Sequence, residues 1–323
     1  MTNIISGNKM LGHIDRIFGE HRPITADIFL TNYCNNLCPY CTYRRWEFED
    51  GARSISYNDF VAYATRLLTL GVKGIILTGG GEPTLNRDFD AICDWLVTSE
   101  IAWGINTNFN VLKYIKPNYL KVSLDGWSRD SYIQHRGVDA YEIVRENIKQ
   151  YVTWKKINSP NTSVGIQLLA KSVSAVQLFY EANKDLPVDY IVIRPMESIG
   201  GEYYKNITDV TSELHPVNII KAINDITLID SRVVLNYKWN LLSVLGDSCV
   251  AAWAQMSVNE AGYVTYCCHK PYQIIGHILD ADILKKKAAA TTDMQTCDIP
   301  CRLTGPNNTV SKLLTAQGGS EFI

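Results

Sequence analysis

Cys34, Cys38 and Cys41 crowd three thiols into the eight residues Cys-Asn-Asn-Leu-Cys-Pro-Tyr-Cys. Thiolates are the usual ligands of iron–sulfur clusters, and three of them can hold three irons of a cubane. A fully ligated cube wants a fourth cysteine, and the next one, Cys93, lies in a stretch that reads as helix. The fourth iron is therefore expected to be open to a small molecule. Two plainer chemistries compete. Zinc sites commonly pair C-x2-C or Cys/His sets into four ligands, but no matching pair follows nearby. Buried structural thiols would not need this spacing.

A second group of thiols lies near the C-terminus: Cys249, Cys267, Cys268, Cys297 and Cys301. Gly262 precedes Cys267 with G-x4-C spacing, and Cys297 and Cys301 form a close pair. Four of these thiolates could equally hold a zinc ion. If Cys267 is a ligand, its neighbour Cys268 points elsewhere and is the odd one out.

The elements that position these groups follow from periodicity. Residues 26–31 alternate and are β-rich, so they read as a first strand, with the three cysteines on the loop at its C-terminal end. Parallel α/β folds put their chemistry at that end. Ser56 opens a helix with Asp59 in its first turn and Phe60, Ala64, Leu67 and Leu68 on one face, and Gly71 closes it. A buried strand over 73–78 runs into Gly79-Gly-Gly-Glu-Pro. Further strands are expected at 101–106, 120–125, 163–169 and 188–194, with helices near 88–98, 140–154 and 174–184. Six strands alternating with helices imply a parallel sheet with right-handed crossovers, and six is too few to close an eight-stranded barrel. A helix near 212–227 and a strand over 232–236 follow, and from Cys249 the alternation stops.

The C-x3-C-x2-C spacing, with the aromatic Tyr40 before the third cysteine, resembles the signature of the radical S-adenosylmethionine (radical SAM) superfamily. The resemblance covers about residues 26–195 and implies an α/β fold, a partial (β/α)6 TIM barrel. It implies that Cys34, Cys38 and Cys41 hold a [4Fe–4S] cluster whose open iron chelates SAM. An electron then splits SAM to a 5′-deoxyadenosyl radical that abstracts hydrogen from a substrate. The glycine run resembles the family's GGEP motif, aligned as Gly80, Gly81, Glu82 and Pro83, with Glu82 accepting from the SAM ammonium. By the same resemblance Asn108 lies near the ribose, and Ser123 and Asp125 contact SAM. Arg136 takes the SAM carboxylate with its planar fork. Tyr40, Ile166 and the backbone around Pro195 and Met196 are the candidates for the adenine pocket, with core packing as the alternative.

The C-terminal cysteines resemble the twitch domain, the shorter form of the SPASM domain. That implies a second, auxiliary [4Fe–4S] cluster on Cys249, Cys267, Cys297 and Cys301, with Gly262 turning the hairpin that presents Cys267. Some radical SAM epimerases of similar arrangement use a free cysteine as hydrogen donor, a role that falls here to Cys268. The alternatives are a small buried hydrophobe, or that Cys268 replaces Cys267 as ligand. The expected organisation is an N-terminal segment 1–25, the barrel 26–200, a connection 201–245, the small twitch/SPASM-like cluster domain 246–305 and a tail 306–323.

Bulk properties narrow the class. The 323 residues carry a formal charge of −2, and no basic run exceeds the three lysines at 285–287, so a nucleic-acid polymer is not an expected partner. No apolar run approaches the ~20 residues of a membrane helix. Nine cysteines without a secretion signal point to a reducing compartment, and cytoplasmic is the expectation. The start of the cluster loop at Cys34 leaves little room for a separate leader-binding domain. That favours a small-molecule substrate (sugar, aminocyclitol or nucleoside) over a peptide. An electron donor such as flavodoxin or ferredoxin is the remaining expected partner. Arg194, Glu197 and Asp247 are nominated as substrate bases, and Tyr43, Arg45 and Trp46 as pocket walls. The competing classes are a non-catalytic electron-transfer protein and a zinc-binding interaction protein.

Overall fold

A computed structural model describes residues 13, 16, 22–43, 53–199, 202–240, 242 and 249–315. Arg45, Trp46 and Asp247 lie outside the described residues, as do most of 1–21 and all of 316–323.

The expected alternation is present. Strands β1 (Thr25–Phe29), β2 (Gly74–Thr78), β3 (Ala102–Thr107), β4 (Tyr119–Ser123), β5 (Ser163–Ala170) and β6 (Tyr190–Pro195) pair in parallel in that order. Helices α1 (Tyr57–Thr69), α2 (Phe89–Thr98), α3 (Arg129–Arg136), α4 (Tyr141–Asn158) and α5 (Val173–Asn183) cover one face. Three of them begin at a serine cap. Ser56 accepts from Asp59 N at the head of α1, and Ser172 from Ala175 N at the head of α5. Ser128 and Ser131 form a reciprocal capping box on α3, an element the sequence reading passed over. The sheet does not close, which makes this a partial barrel.

Two findings extend the expected core. A strand β8 (Val233–Leu235) pairs parallel to β6 after α7 (Pro216–Thr227), so the parallel run gains a member from the segment taken as a connection. At the opposite edge β9 (Gln255–Val258) pairs parallel to β1, and β10 (Tyr263–Thr265) and β11 (Ile274–His277) continue antiparallel. The strands β9 to β11 are thus not a separate sheet; they lengthen the barrel's own to ten strands. The physical reason is the β1 edge, whose unpaired N–H and C=O groups need a partner. Two short strands, β7 (Ser198–Ile199) and β12 (Asp298–Ile299), form a second ribbon. The small helices are α6 (Glu202–Lys205) and α8 (Ile283–Ala289).

Part of the segment read as the tail, 306–323, is helical. Thr304–Thr315 forms helix α9, which packs Val310 against Trp253 and accepts from Ala251 N on the Asn307 side chain. Gly262 turns the β9–β10 hairpin with φ +81°, a conformation that costs glycine little. No described helix is long and apolar enough to cross a membrane.

The two faces of the barrel strands differ in chemistry. In β4, Leu120 and Val122 are fully buried, while Tyr119, Lys121 and Ser123 are half-buried. The two-residue period of a strand sends the first pair under the helices and the second into the lumen.

Candidate active site

The described part of the loop after β1 carries the three thiols, and the strand ends around it build a cavity of about 560 Å³. Cys34, Cys38 and Cys41 line it together with Gly80, Gly81, Glu82, Asn108, Ser123 and Arg136. The loop is pinned by the glycine run: Gly81 N donates to Thr31 O (2.7 Å) and Glu82 N to Tyr33 O (2.8 Å). A Cβ at Gly81 would sit 1.9 Å from Tyr33 O, so this approach requires glycine.

Glu82 is 3% exposed, and both of its carboxylate oxygens accept hydrogen bonds. Its Oε1 accepts from Thr84 N, Thr84 Oγ1 and Thr107 Oγ1, and its Oε2 accepts from Asn108 N at 2.7 Å. Burial raises the Glu82 pKa while these donors oppose the rise. With one donor on Oε2, that oxygen keeps capacity for an ammonium group. Asn108 donates to Asn35 Oδ1 (2.7 Å) and sits 3.9 Å from Cys34 Sγ, so it ties the third strand's end to the thiol loop.

Arg136 and Asp125 differ from expectation. Arg136 is 7% exposed, and both terminal nitrogens are occupied: Nη1 by Cys38 Sγ (3.3 Å) and Asp125 (3.4 Å), Nη2 by Ser123 O. Its Nε has no partner among the described residues. A free two-pronged fork for a carboxylate is therefore not what this arrangement offers. Asp125 is fully buried with φ +48°, accepts from Leu169 N at 2.7 Å, and does not line the cavity. Asp is among the few side chains that visit the left-handed region readily. Tyr40 also lies behind the wall, its hydroxyl donating to Asp125. Ile166 shares the helix-facing side of β5 with Val164 and Leu168, in the hydrophobic core and away from the cavity. Pro83 is buried at the first position of a 3-10 turn for which Glu82 is the cap, and plays a backbone part.

The thiols fit an iron cluster in donor type. Burial pushes the Cys34 thiol up to about 11 and raises Cys38, against the pull of Arg136. Metal binding must therefore displace their protons. At the other end, Cys249, Cys267, Cys297 and Cys301 line one narrow cavity with Met294, Ile299 and Leu303. Burial, then Cys301 and Cys297, pushes Cys249 to about 12. Cys267 is raised by burial and by Cys268, Cys301 and Cys249, so these sulfurs are close enough to feel one another. Among the described residues no three His, Cys, Asp or Glu side chains cluster tightly enough to hold a single metal ion.

A second cavity, of about 480 Å³, lies deeper in the lumen and shares Tyr43, Thr78 and Asn106 with the first. Cys268 lines it, 3.4 Å from Arg302 Nη2, and Tyr43 donates to Cys268 O at 2.9 Å. Burial raises the Cys268 thiol, but Arg302 and His269 outweigh it and hold it below the usual range. Glu197 accepts from both Arg194 and Lys238, so it is an ion-paired anchor and a poor base. Burial opposes its ionisation, but Lys238 and Arg194 prevail and hold its pKa well below normal.

Four lumen charges were not found from sequence: Asp27, Lys121, Lys238 and Arg302. Asp27 pairs with Arg302 and accepts from Gln255. For Asp27 and Lys121 the available signal was a charged residue within a strand otherwise apolar enough for a parallel sheet, whose faces are both covered. Such a charge must face a lumen or a cavity.

Residues 28–157 match the family model of the Radical SAM superfamily. Among curated proteins, a probable GTP 3′,8-cyclase of Saccharolobus islandicus (strain M.14.25 / Kamchatka #1) is 29% identical over 199 residues, 58% of this chain and 61% of that protein. A probable GTP 3′,8-cyclase of Saccharolobus solfataricus is 33% identical over 151 residues, 43% of this chain and 46% of that protein. The chain thus spans less than two thirds of the curated relatives it matches. Among solved structures, Streptococcus suis SuiB aligns with TM-score 0.63 at 14% identity, over 87% of this chain and 70% of its own. AdoMet-bound anSMEcpe aligns with TM-score 0.57 at 16% identity, over 82% of each chain. Identities this low speak to the fold.

Proposed function

Because residues 28–157 match the family model of the Radical SAM superfamily, we propose that this chain is a radical SAM enzyme that abstracts hydrogen from a small molecule held in the deeper cavity. The candidates are a sugar, an aminocyclitol or a nucleoside. Cys34, Cys38 and Cys41 would hold the SAM-binding [4Fe–4S] cluster, and Cys249, Cys267, Cys297 and Cys301 an auxiliary one. When bound, the first cluster supplies the electron that splits SAM to a 5′-deoxyadenosyl radical, the agent of hydrogen abstraction. A one-electron donor of the flavodoxin or ferredoxin kind would serve it.

One observation carries the reading. The cavity of the three thiols adjoins a second, charge-lined cavity, and Tyr43, Thr78 and Asn106 line both. A reactive group formed in the first cavity would meet substrate in the second within a protein-lined space, where water is largely displaced. Glu82 would accept from the SAM ammonium on Oε2. Ser123 would line the SAM cavity, and Asn108 would keep the Cys34 loop in place. Arg136 would hold Cys38 by charge and either exchange a partner for the SAM carboxylate or donate to it through Nε alone. Cys268 would be the hydrogen donor where the reaction is an epimerisation. Its S–H bond would break, the substrate radical would gain the hydrogen atom, and the thiyl radical left behind would be reset by one electron from the same one-electron donor and one proton from solvent. The relatives' name, GTP 3′,8-cyclase, favours the nucleoside end of the substrate range.

The test is iron and sulfide content after anaerobic reconstitution, with 5′-deoxyadenosine measured after dithionite reduction in the presence of SAM. About eight irons in the wild type, falling to about four with loss of cleavage in Cys34/Cys38/Cys41→Ala, is the expected result. Zinc at the C-terminal cysteines would remove the auxiliary cluster, and iron without SAM cleavage would leave an electron-transfer protein.

A further inference from the structure

The deeper cavity has a charge pattern that its own pairings leave incomplete. Four cationic side chains line it, Lys121, Arg194, Lys238 and Arg302, against the two carboxylates Asp27 and Glu197. Three of the cations are spoken for. Arg194 and Lys238 share Glu197, and Arg302 holds Asp27. Lys121 makes no hydrogen bond or ion pair among the described residues. It sits mid-strand in β4, in register with Asn106 of β3 and Gly165 of β5, on the lumen side. On the acceptor side, Asp27 is 1% exposed and its Oδ1 has no hydrogen-bond partner, and Asn106 Oδ1 is likewise unpartnered among the described residues.

An unpaired ammonium beside three other cations, and a buried carboxylate oxygen without a donor, are costly unless a ligand completes them. A neutral sugar would answer Asp27 and leave the ammonium bare. An aminocyclitol would bring a further cation into a cavity that already has two in excess. We infer that the substrate is a polyhydroxylated molecule bearing an anionic group, phosphate or carboxylate, that Lys121 binds while a hydroxyl donates to Asp27 Oδ1. This rests on the reading that the deeper cavity is the substrate site, and it narrows that site's substrate class. Burial, then Arg194, Lys238 and Arg302, lowers the Lys121 pKa to about 7, so an arriving anion also restores a proton to the amine.

The test is a pulse of N-hydroxysuccinimidyl acetate on the reconstituted holoenzyme, with acetylation of Lys121 read by peptide mass spectrometry and exposed Lys285 as internal control. Inorganic phosphate and malonate are titrated in separate arms. Protection of Lys121 by at least ~10-fold in one arm, with Lys285 unchanged, is expected, since one charge-assisted hydrogen bond corresponds to about that factor. The arm that protects identifies the anion. No protection in either arm, or a parallel slowing of Lys285, overturns the inference. Equilibrium dialysis with the protecting anion adds a second readout: Lys121→Gln should bind ~10-fold more weakly and Lys121→Arg should retain binding. Equal binding by wild type and Lys121→Gln overturns it as well. The same wild-type preparation is assayed for 5′-deoxyadenosine. Release without protection removes the anion site alone, whereas protection without release keeps the anion site and removes the radical SAM reading beneath it.

Discussion

Glu82 and Lys121 are the two residues whose surroundings most sharply constrain their roles. Glu82 gathers four donors from Thr84, Thr107 and Asn108, and each relies on a carboxylate oxygen. In Glu82→Gln one oxygen becomes an amide nitrogen that must face at least one of those donors. SAM binding to the reconstituted variant, measured by equilibrium dialysis, should weaken by ~10–100-fold, the range for losing a hydrogen bond to a charged group. An unchanged dissociation constant would separate Glu82 from SAM. Lys121 carries the opposite liability. Its folded pKa of about 7 lies below the ordinary 10.5. Between those values the unfolded chain binds a proton that the folded chain does not, so this group's contribution makes stability rise with pH. Below pH 7 both states are protonated and the cost of burying the cation is felt in full. Lys121→Met should therefore raise Tm more at pH 6.5 than at pH 10. Equal increments at the two pH values would show that the amine is not held in this environment.

At the scale of elements, the site depends on close approach between the β1 loop and the glycine run after β2. Gly81 has no room for a methyl group, because its Cβ would overlap the Tyr33 carbonyl oxygen. Gly81→Ala should displace the thiol loop while leaving the C-terminal cysteines untouched. Iron after reconstitution should then fall by about half with the overall fold kept, as read by circular dichroism. Retention of full iron would mean that the loop can back away without losing its ligand geometry. Helix α3 plays a complementary part. Its capping box at Ser128 and its left-handed cap at Gly137 fix a short helix whose last residue, Arg136, reaches Cys38 and Asp125. A short polar helix like this has little apolar periodicity, which is why the sequence pattern passed over it.

At the scale of the molecule, one sheet of ten strands joins the barrel to the C-terminal segment through β9 against β1. The edge of β1 is thereby covered, and Gln255 and Arg302 reach Asp27 inside the lumen. Deleting residues 249–323 would expose that edge and leave Asp27 buried without its cation. The truncated chain should be aggregation-prone, appearing in the void volume on size-exclusion chromatography. A monodisperse truncated barrel that still takes up iron would show the two regions to be independent.

The cluster loop, the glycine run and most of the alternating strands and helices were legible because each is a local pattern. Ligand spacing within one loop, a two-residue period and a serine cap are all written in contiguous residues. The sequence also pointed to Cys268 as the thiol apart from the others. The tertiary structure alone decided which charges meet. Asp27 and Arg302 are 275 residues apart, Lys238 and Glu197 are 41 apart, and Lys121 is left without a hydrogen bond or ion pair among the described residues because those pairs form without it. It likewise turned Ile166 toward the helices and set Asp125 and Tyr40 behind the cavity wall. A pairing of this kind depends on how a twisted sheet brings distant strands around one lumen, and local periodicity does not encode that geometry.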